Sequence, residues 1–303
     1  MKLSVPVDDG VSLHVRHRPG TISPAFLLVH ALESNARLWD QVADHLAAAG
    51  HAVYAVDLRG HGESDTPDHG YDNATATADL AAIAAALGLT GSVVAGHSWG
   101  AHIALRLAAE HPGLVSGLVL IEGGWAGPAA IYESWEIFDA VIQSMVSLSD
   151  GDGATLGRIR DYLRTIHPDW SMEAIEASLF SLRINSDGSP APALSAPQRT
   201  AIMRSLWDDL PARWFPSIAV PVLLMPAFPK DNRQWPPRIR ALVERIRSFV
   251  YVAAAELPRS TIREYVDSDH DLHAQHPGRV ANDLMDFART LEHPPTPEAR
   301  RSR

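Results

Sequence analysis

Apolar positions along the first part of the chain alternate between two periods, one of strands and one of helices. Residues 2–18 switch between apolar and polar on either side of Asp8-Asp9-Gly10, which predicts a hairpin. Ala25–His30, Ala52–Val56, Val93–Ala95 and Leu114–Ile121 are apolar runs too short to be helices and read as buried strands. Between them, Arg37–Ala48 carries Leu38, Val42 and Leu46 on one face and stops at Gly50. Ala74–Leu87 is a second helix, and Ala101, Ala104, Leu105 and Ala108 mark a third. Strand and helix in alternation predict a parallel sheet covered on both faces, with chemistry at the strands' C-terminal ends.

The rhythm breaks after Glu122-Gly123-Gly124. From about 126 to 213 only helical segments are expected, near 130–148, 153–166, 171–183 and 198–209, jointed at Asp150-Gly151-Asp152-Gly153 and Ser186–Pro197. A helical insertion between two strands of one sheet reads as a lid. The sheet resumes at Val220–Met225. Ile239, Leu242, Val243, Ile246, Val250, Ala253, Ala254 and Leu257 then keep one face of a long helix, and Arg238, Arg240, Arg245 and Arg247 read as its solvated side. Thr261–Val266 is a last strand and Pro277–Leu291 a last helix. The expected organisation is a core over 1–125 and 214–293, a lid over 126–213, and a disordered tail over 294–303.

Composition narrows the function classes. The 303 residues are 46% hydrophobic, enough for a large core, and the formal net charge of −10 disfavours nucleic acid and anionic membranes as partners. With no cysteine, disulfides, thiolate metal sites and cysteine catalysis are excluded, and a cytoplasmic address is compatible. Neither a signal core nor an apolar run of membrane-spanning length is evident, so the chain is expected to be soluble and unexported.

The chemistry concentrates at Gly96-His97-Ser98-Trp99-Gly100, where a strand runs into a helix. Gly-x-Ser-x-Gly in that setting is a nucleophile elbow: small neighbours let Ser98 take a strained backbone, and the following helix points free N–H groups at the same spot. Three more motifs sit in a matching order: His30-Ala31-Leu32, Asp57-Leu58-Arg59-Gly60-His61-Gly62, and Asp269-His270-Asp271-Leu272-His273-Ala274-Gln275-His276-Pro277. Over nearly its whole length the chain resembles the α/β-hydrolase family. The resemblance implies a mostly parallel eight-stranded sheet, helices on both faces and a helical lid inserted after the sixth strand.

It also implies a serine–histidine–acid triad. His270 is the expected base, seven residues before Pro277, as in many relatives; His273 is its rival. Two carboxylates compete as the acid. Many relatives place an aspartate in a Gly-x-x-Asp turn, where this chain has Pro226-Ala227-Phe228-Pro229-Lys230-Asp231, without the glycine and with Asp231 one place late. Glu122, 24 residues beyond Ser98, matches the spacing of relatives such as zearalenone-type lactone hydrolases and some haloalkane dehalogenases, and is favoured. The oxyanion hole would be the backbone N–H groups of Trp99 and Leu32, with Ala31 where relatives usually carry glycine. His30, His61 and His97 are expected to be structural. A metal cluster of Asp269, His270, Asp271, His273 and His276 fits no helical ligand spacing, so neither metal nor cofactor is expected.

Trp125, Tyr132, Trp135, Phe138, Trp170, Phe180, Trp207, Trp214 and Phe215 cluster in or beside the lid, with about two to four of them expected on a cavity wall. The expected partner is a small apolar ester or lactone, aliphatic or aromatic; no basic pocket is evident, which disfavours an anionic substrate, and homo-oligomerisation is left open. A serine nucleophile disfavours dehalogenase and epoxide-hydrolase chemistry, because a serine ether would not be hydrolysed. The alternatives to an esterase or lactonase are a cofactor-free haloperoxidase or perhydrolase, and a small-molecule receptor of this fold with little turnover.

Overall fold

The computed structural model describes residues 1–8, 10–146, 155–228 and 236–292. The first half follows the predicted alternation. The antiparallel strands β1 (Lys2–Asp8) and β2 (Val11–Arg18) are followed by β3 (Ile22–Val29), α1 (Asp40–Ala48) and β4 (His51–Val56). Then come α2 (Asn73–Ala86), β5 (Ser92–His97), α3 (Trp99–Glu110) and β6 (Val115–Ile121). Asp72 caps α2 by accepting from the Thr75 N–H, and a short 3-10 turn over Ala36–Trp39 leads into α1.

Between β6 and the next sheet strand lie α4 (Pro128–Ile131), α5 (Trp135–Val146), α6 (Leu156–Ile166), α7 (Met172–Leu179) and α8 (Ala196–Asp208). This insert is not all helical, contrary to expectation. β7 (Leu182–Ile184) and β8 (Pro190–Pro192) pair antiparallel around a turn closed by the Asn185 N–H to Ser189 carbonyl bond, with Gly188 at φ 84°. Two three-residue strands are too short to show a period, so only the turn was legible, as a joint. The expected helix at 130–148 is also divided, because Tyr132 is extended and ends α4. The expected joint at Asp150–Gly153 lies outside the described residues, as do the expected tail and Asp231.

The chain returns as β9 (Val222–Met225), β10 (Ala227–Phe228), α9 (Pro237–Glu256), β11 (Ser260–Ile262), β12 (Tyr265–Val266), α10 (Leu272–Gln275) and α11 (Pro277–Glu292). The expected last strand is two: β11 completes the main sheet, while β12 pairs with β10. The main sheet has eight strands in the order β1-β2-β4-β3-β5-β6-β9-β11, parallel from β4 onward.

Because side chains alternate across a strand, each central strand feeds two cores. Leu27, Val29, Val94, Leu118 and Leu120 face α2, α3 and α9; Phe26, Leu28, Val93, Ala95, Val119 and Ile121 face α1 and α11. Near the first core, Arg59 and Asp79 form a buried bidentate ion pair at 2.8 and 3.0 Å. Among the described residues, no helix is long and apolar enough to cross a membrane.

Candidate active site

Strand register sets the site. Val29 pairs with Gly96, His97 with Ile121, and Ile121 with Met225. The residues that follow these strand ends, His30, Ser98, Glu122 and Pro226, therefore emerge along one edge of the sheet. Ser98 stands there at φ 52°, ψ −113°, outside the regions L-residues prefer. Its neighbours explain how that is tolerated. A Cβ on Gly96 would lie 2.1 Å from the Gly100 carbonyl oxygen, and one on Gly100 would lie 2.5 Å from the carbonyl oxygens of Val29 and His30. The elbow thus closes backbone against backbone, which only glycine permits.

Ser98, Glu122 and His270 line a single cavity of about 450 Å³. His270 comes from the loop between β12 and α10, and its Nδ1 lies 3.1 Å from Glu122 Oε2. The other carboxylate oxygen, Oε1, accepts the Ala227 N–H at 2.6 Å, so the β10 backbone fixes the carboxylate plane. A carboxylate can only accept, so the His270 proton sits on Nδ1 and leaves Nε2 free to take a proton. Ser98 and His270 line the same cavity, on which Nε2 is the ring nitrogen left to accept.

Electrostatics agree with a base at His270. The ring exposes 53% of its side-chain surface, toward the cavity, and is otherwise enclosed by protein. Burial works to lower its pKa, but the hydrogen bond and charge of Glu122, with Asp271 adding to them, hold it above the ordinary histidine value. The rival His273 is wholly buried and stacked on Trp39 with ring centroids 4.2 Å apart; burial, reinforced by His97, drives its pKa well down. It does not reach the cavity wall.

The three histidines expected to be structural are engaged with the backbone. His30 Nδ1 donates to the Ala31 carbonyl and Nε2 accepts the Leu58 N–H; His61 likewise donates to the Arg59 carbonyl and accepts the Glu33 N–H. His97 Nε2 donates to the His270 carbonyl at 2.9 Å, bracing the loop that carries His270. Of the acid-and-histidine run near the C-terminus, Asp269 pairs with His167 and His276 with Ser268, while Asp271 and His273 gather with His97. Among the described residues two groups thus bring potential ligand atoms within 4.8 Å of one another, this one and His14 with Asp57 and Glu63. The second is already an internal pair, with His14 Nδ1 2.8 Å from Asp57.

Of the two expected oxyanion donors, Trp99 lines the cavity and Leu32 does not. The Trp99 indole is anchored by its Nε1–H donating to Asn73 Oδ1 at 2.9 Å. Of the expected aromatics, Trp125, Tyr132 and Phe138 reach the cavity. Trp135 and Trp207 pack on Phe138 from behind, while Phe180 lies beneath the Arg37 guanidinium. A larger groove of about 640 Å³ between β2, α1 and α7 is walled by charges already paired, Arg16 and Arg18 with Asp40 and Asp44.

Several contributors escaped sequence reasoning. A Cβ on Gly123 would lie 2.5 Å from the Ser98 carbonyl oxygen, so Gly123 supports the elbow from the neighbouring strand end. His102, one helical turn beyond Ser98, also lines the cavity; burial pushes its pKa down to about 4, so it is uncharged at neutral pH. Arg247, expected on a solvated face and 37% exposed at its side chain, also lines the cavity with Val243, Ile246 and Val250. Those positions share one helical stripe, which was the available signal.

Known proteins share this plan. A family model described as the alpha/beta hydrolase fold matches residues 24–277. The chain is 26% identical over 278 residues to a 2-(acetamidomethylene)succinate hydrolase of Mesorhizobium japonicum, covering 88% of this chain and 96% of that protein. It is 33% identical over 221 residues to an N-formylmaleamate deformylase of Pseudomonas putida, covering 69% and 72% respectively. A crystal structure of E-2-(acetamidomethylene)succinate hydrolase superposes with TM-score 0.71 at 22% identity over 95% of this chain and 98% of that one. The chain therefore belongs to the α/β-hydrolase fold family, as a hydrolase of that fold.

Proposed function

We propose that the protein hydrolyses a carboxylic ester or lactone of a small apolar molecule through an acyl-serine intermediate. The observation that carries this reading is the Glu122–His270 bond beside a serine held at positive φ on the same cavity wall. His270 Nε2 takes the Ser98 proton as Oγ attacks the acyl carbon, and Glu122 stabilises the imidazolium without itself being protonated. The carbonyl oxygen becomes an oxyanion at the N-terminus of α3, where the Trp99 N–H donates to it; a donor of this kind is worth about 3 kcal/mol in the transition state. His270 then protonates the leaving group, and water, activated by the same imidazole, releases the acid.

The insert over 126–213 acts as the lid in this reading, with 1–125 and 214–293 as the core. Trp125, Tyr132 and Phe138 supply the apolar wall that a hydrophobic acyl or alcohol group needs. A second reading, cleavage of an N-acyl bond by the same residues, is favoured by the names of the two relatives, which refer to acetamido and N-formyl compounds. The test is a panel of p-nitrophenyl esters, macrocyclic lactones and N-acyl amides assayed against the wild type and Ser98→Ala. Turnover of an ester or lactone that vanishes in Ser98→Ala supports the first reading, and turnover confined to N-acyl compounds supports the second. Turnover that survives the substitution refutes both.

A further inference from the structure

The cavity wall is apolar apart from a few groups. The Glu122 carboxylate is occupied by His270 and the Ala227 N–H at the catalytic end, and His102 is neutral. Arg247 is the one permanent cation among the described lining residues. Its ion-pair neighbour is Glu244, 3.8 Å away and 70% exposed, a pairing that water largely screens. The Tyr251 hydroxyl, which donates to Glu264, also interacts with the Arg247 side chain. The Arg247 guanidinium lies over the Phe228 ring, 4.1 Å from its centroid, and Phe228 is a second lining residue. Stacking orients the planar fork at the cavity wall, where its remaining N–H groups can meet a partner.

We propose that Arg247 binds a carboxylate carried by the substrate, so the natural substrate has an apolar body with one anionic end remote from the scissile bond. The inference refines the hydrolase reading and rests on it for the scissile bond, but the binding claim stands on the wall itself. A planar carboxylate matches the guanidinium with two parallel hydrogen bonds, which a neutral ester or a lactone without an acid group would leave unmade. Val243, Ile246 and Val250, on the same stripe as Arg247, give the adjoining methylene groups an apolar surface. The expectation of a wholly apolar substrate is replaced by an amphiphilic one.

The test uses a matched pair of probes, mono-p-nitrophenyl glutarate and p-nitrophenyl valerate, which differ by a carboxylate in place of a methyl group. Affinities are measured by calorimetry on Ser98→Ala protein, so that turnover does not intervene. The glutarate ester should bind more tightly than the valerate, and Arg247→Gln in the same background should reduce that preference by about 10- to 100-fold. Arg247→Lys, which keeps the charge and loses the fork, should restore part of it. Equal affinity for the two probes, or a preference unchanged in a folded Arg247→Gln protein, would overturn the proposal. Absence of wild-type turnover on both esters would count against the esterase reading and leave the binding result to decide this one.

Discussion

Replacing Glu122 by glutamine tests the acid at the level of single hydrogen atoms. The two side chains have the same shape, and the Ala227 N–H, 2.6 Å from Oε1, requires an oxygen at that position. The amide NH2 must then occupy the place of Oε2, 3.1 Å from His270 Nδ1. Two donors cannot share that bond, so His270 moves its proton to Nε2, the atom that must accept from Ser98. The expected loss in kcat is about 10³- to 10⁴-fold, the scale of a wrong-tautomer defect, equivalent to about 4 to 5.5 kcal/mol on the barrier. The assay is hydrolysis of p-nitrophenyl butyrate across pH, with circular dichroism to confirm the fold. In the wild type, activity should rise with pH through a His270 pKa above the ordinary value, since only the neutral ring accepts a proton. Residual activity in Glu122→Gln should have that limb displaced to lower pH, because the charge that raised the pKa is gone. A variant within a few-fold of wild type, with an unmoved acid limb, would refute the assignment of Glu122.

Gly123→Ala should impair turnover of the same ester, because its new Cβ would press on the Ser98 backbone, 2.5 Å from the carbonyl oxygen and 2.9 Å from Cα. Steady-state kinetics on a folded variant check this, and unchanged kcat would show that the elbow has slack. Arg59→Ala should destabilise the fold by about 3–5 kcal/mol in urea titration, because Asp79 stays buried without its bidentate partner. A loss below about 1 kcal/mol would mean that water reaches Asp79 in the variant.

The core was legible because its signals are local and repeated. Apolar strands such as Val93–Ala95 and the glycine pair around Ser98 need no long-range information to be read. Once strand ends align, Ser98 and Glu122 emerge together, so the spacing from the elbow reflects the sheet register. The insert was harder. Leu182–Ile184 and Pro190–Pro192 are too short for a pattern, and the break at Tyr132 is followed by a cap at Ser134 that sits inside an otherwise continuous apolar period. Arg247 keeps the solvent exposure its charge suggested, while its position beside Val243, Ile246 and Val250 also puts it on the cavity wall. Gly123 and the Ala227 N–H act through backbone atoms brought close by the sheet, which no side-chain pattern announces.

The central claim is a covalent bond between one serine and the acyl group. Wild-type protein is mixed with a fluorophosphonate, quenched, digested and mapped by mass spectrometry, with the Ser98→Ala protein in parallel. The account requires one adduct per chain, on Ser98, and none in the variant. An adduct elsewhere in the wild type, or labelling undiminished in Ser98→Ala, would contradict it.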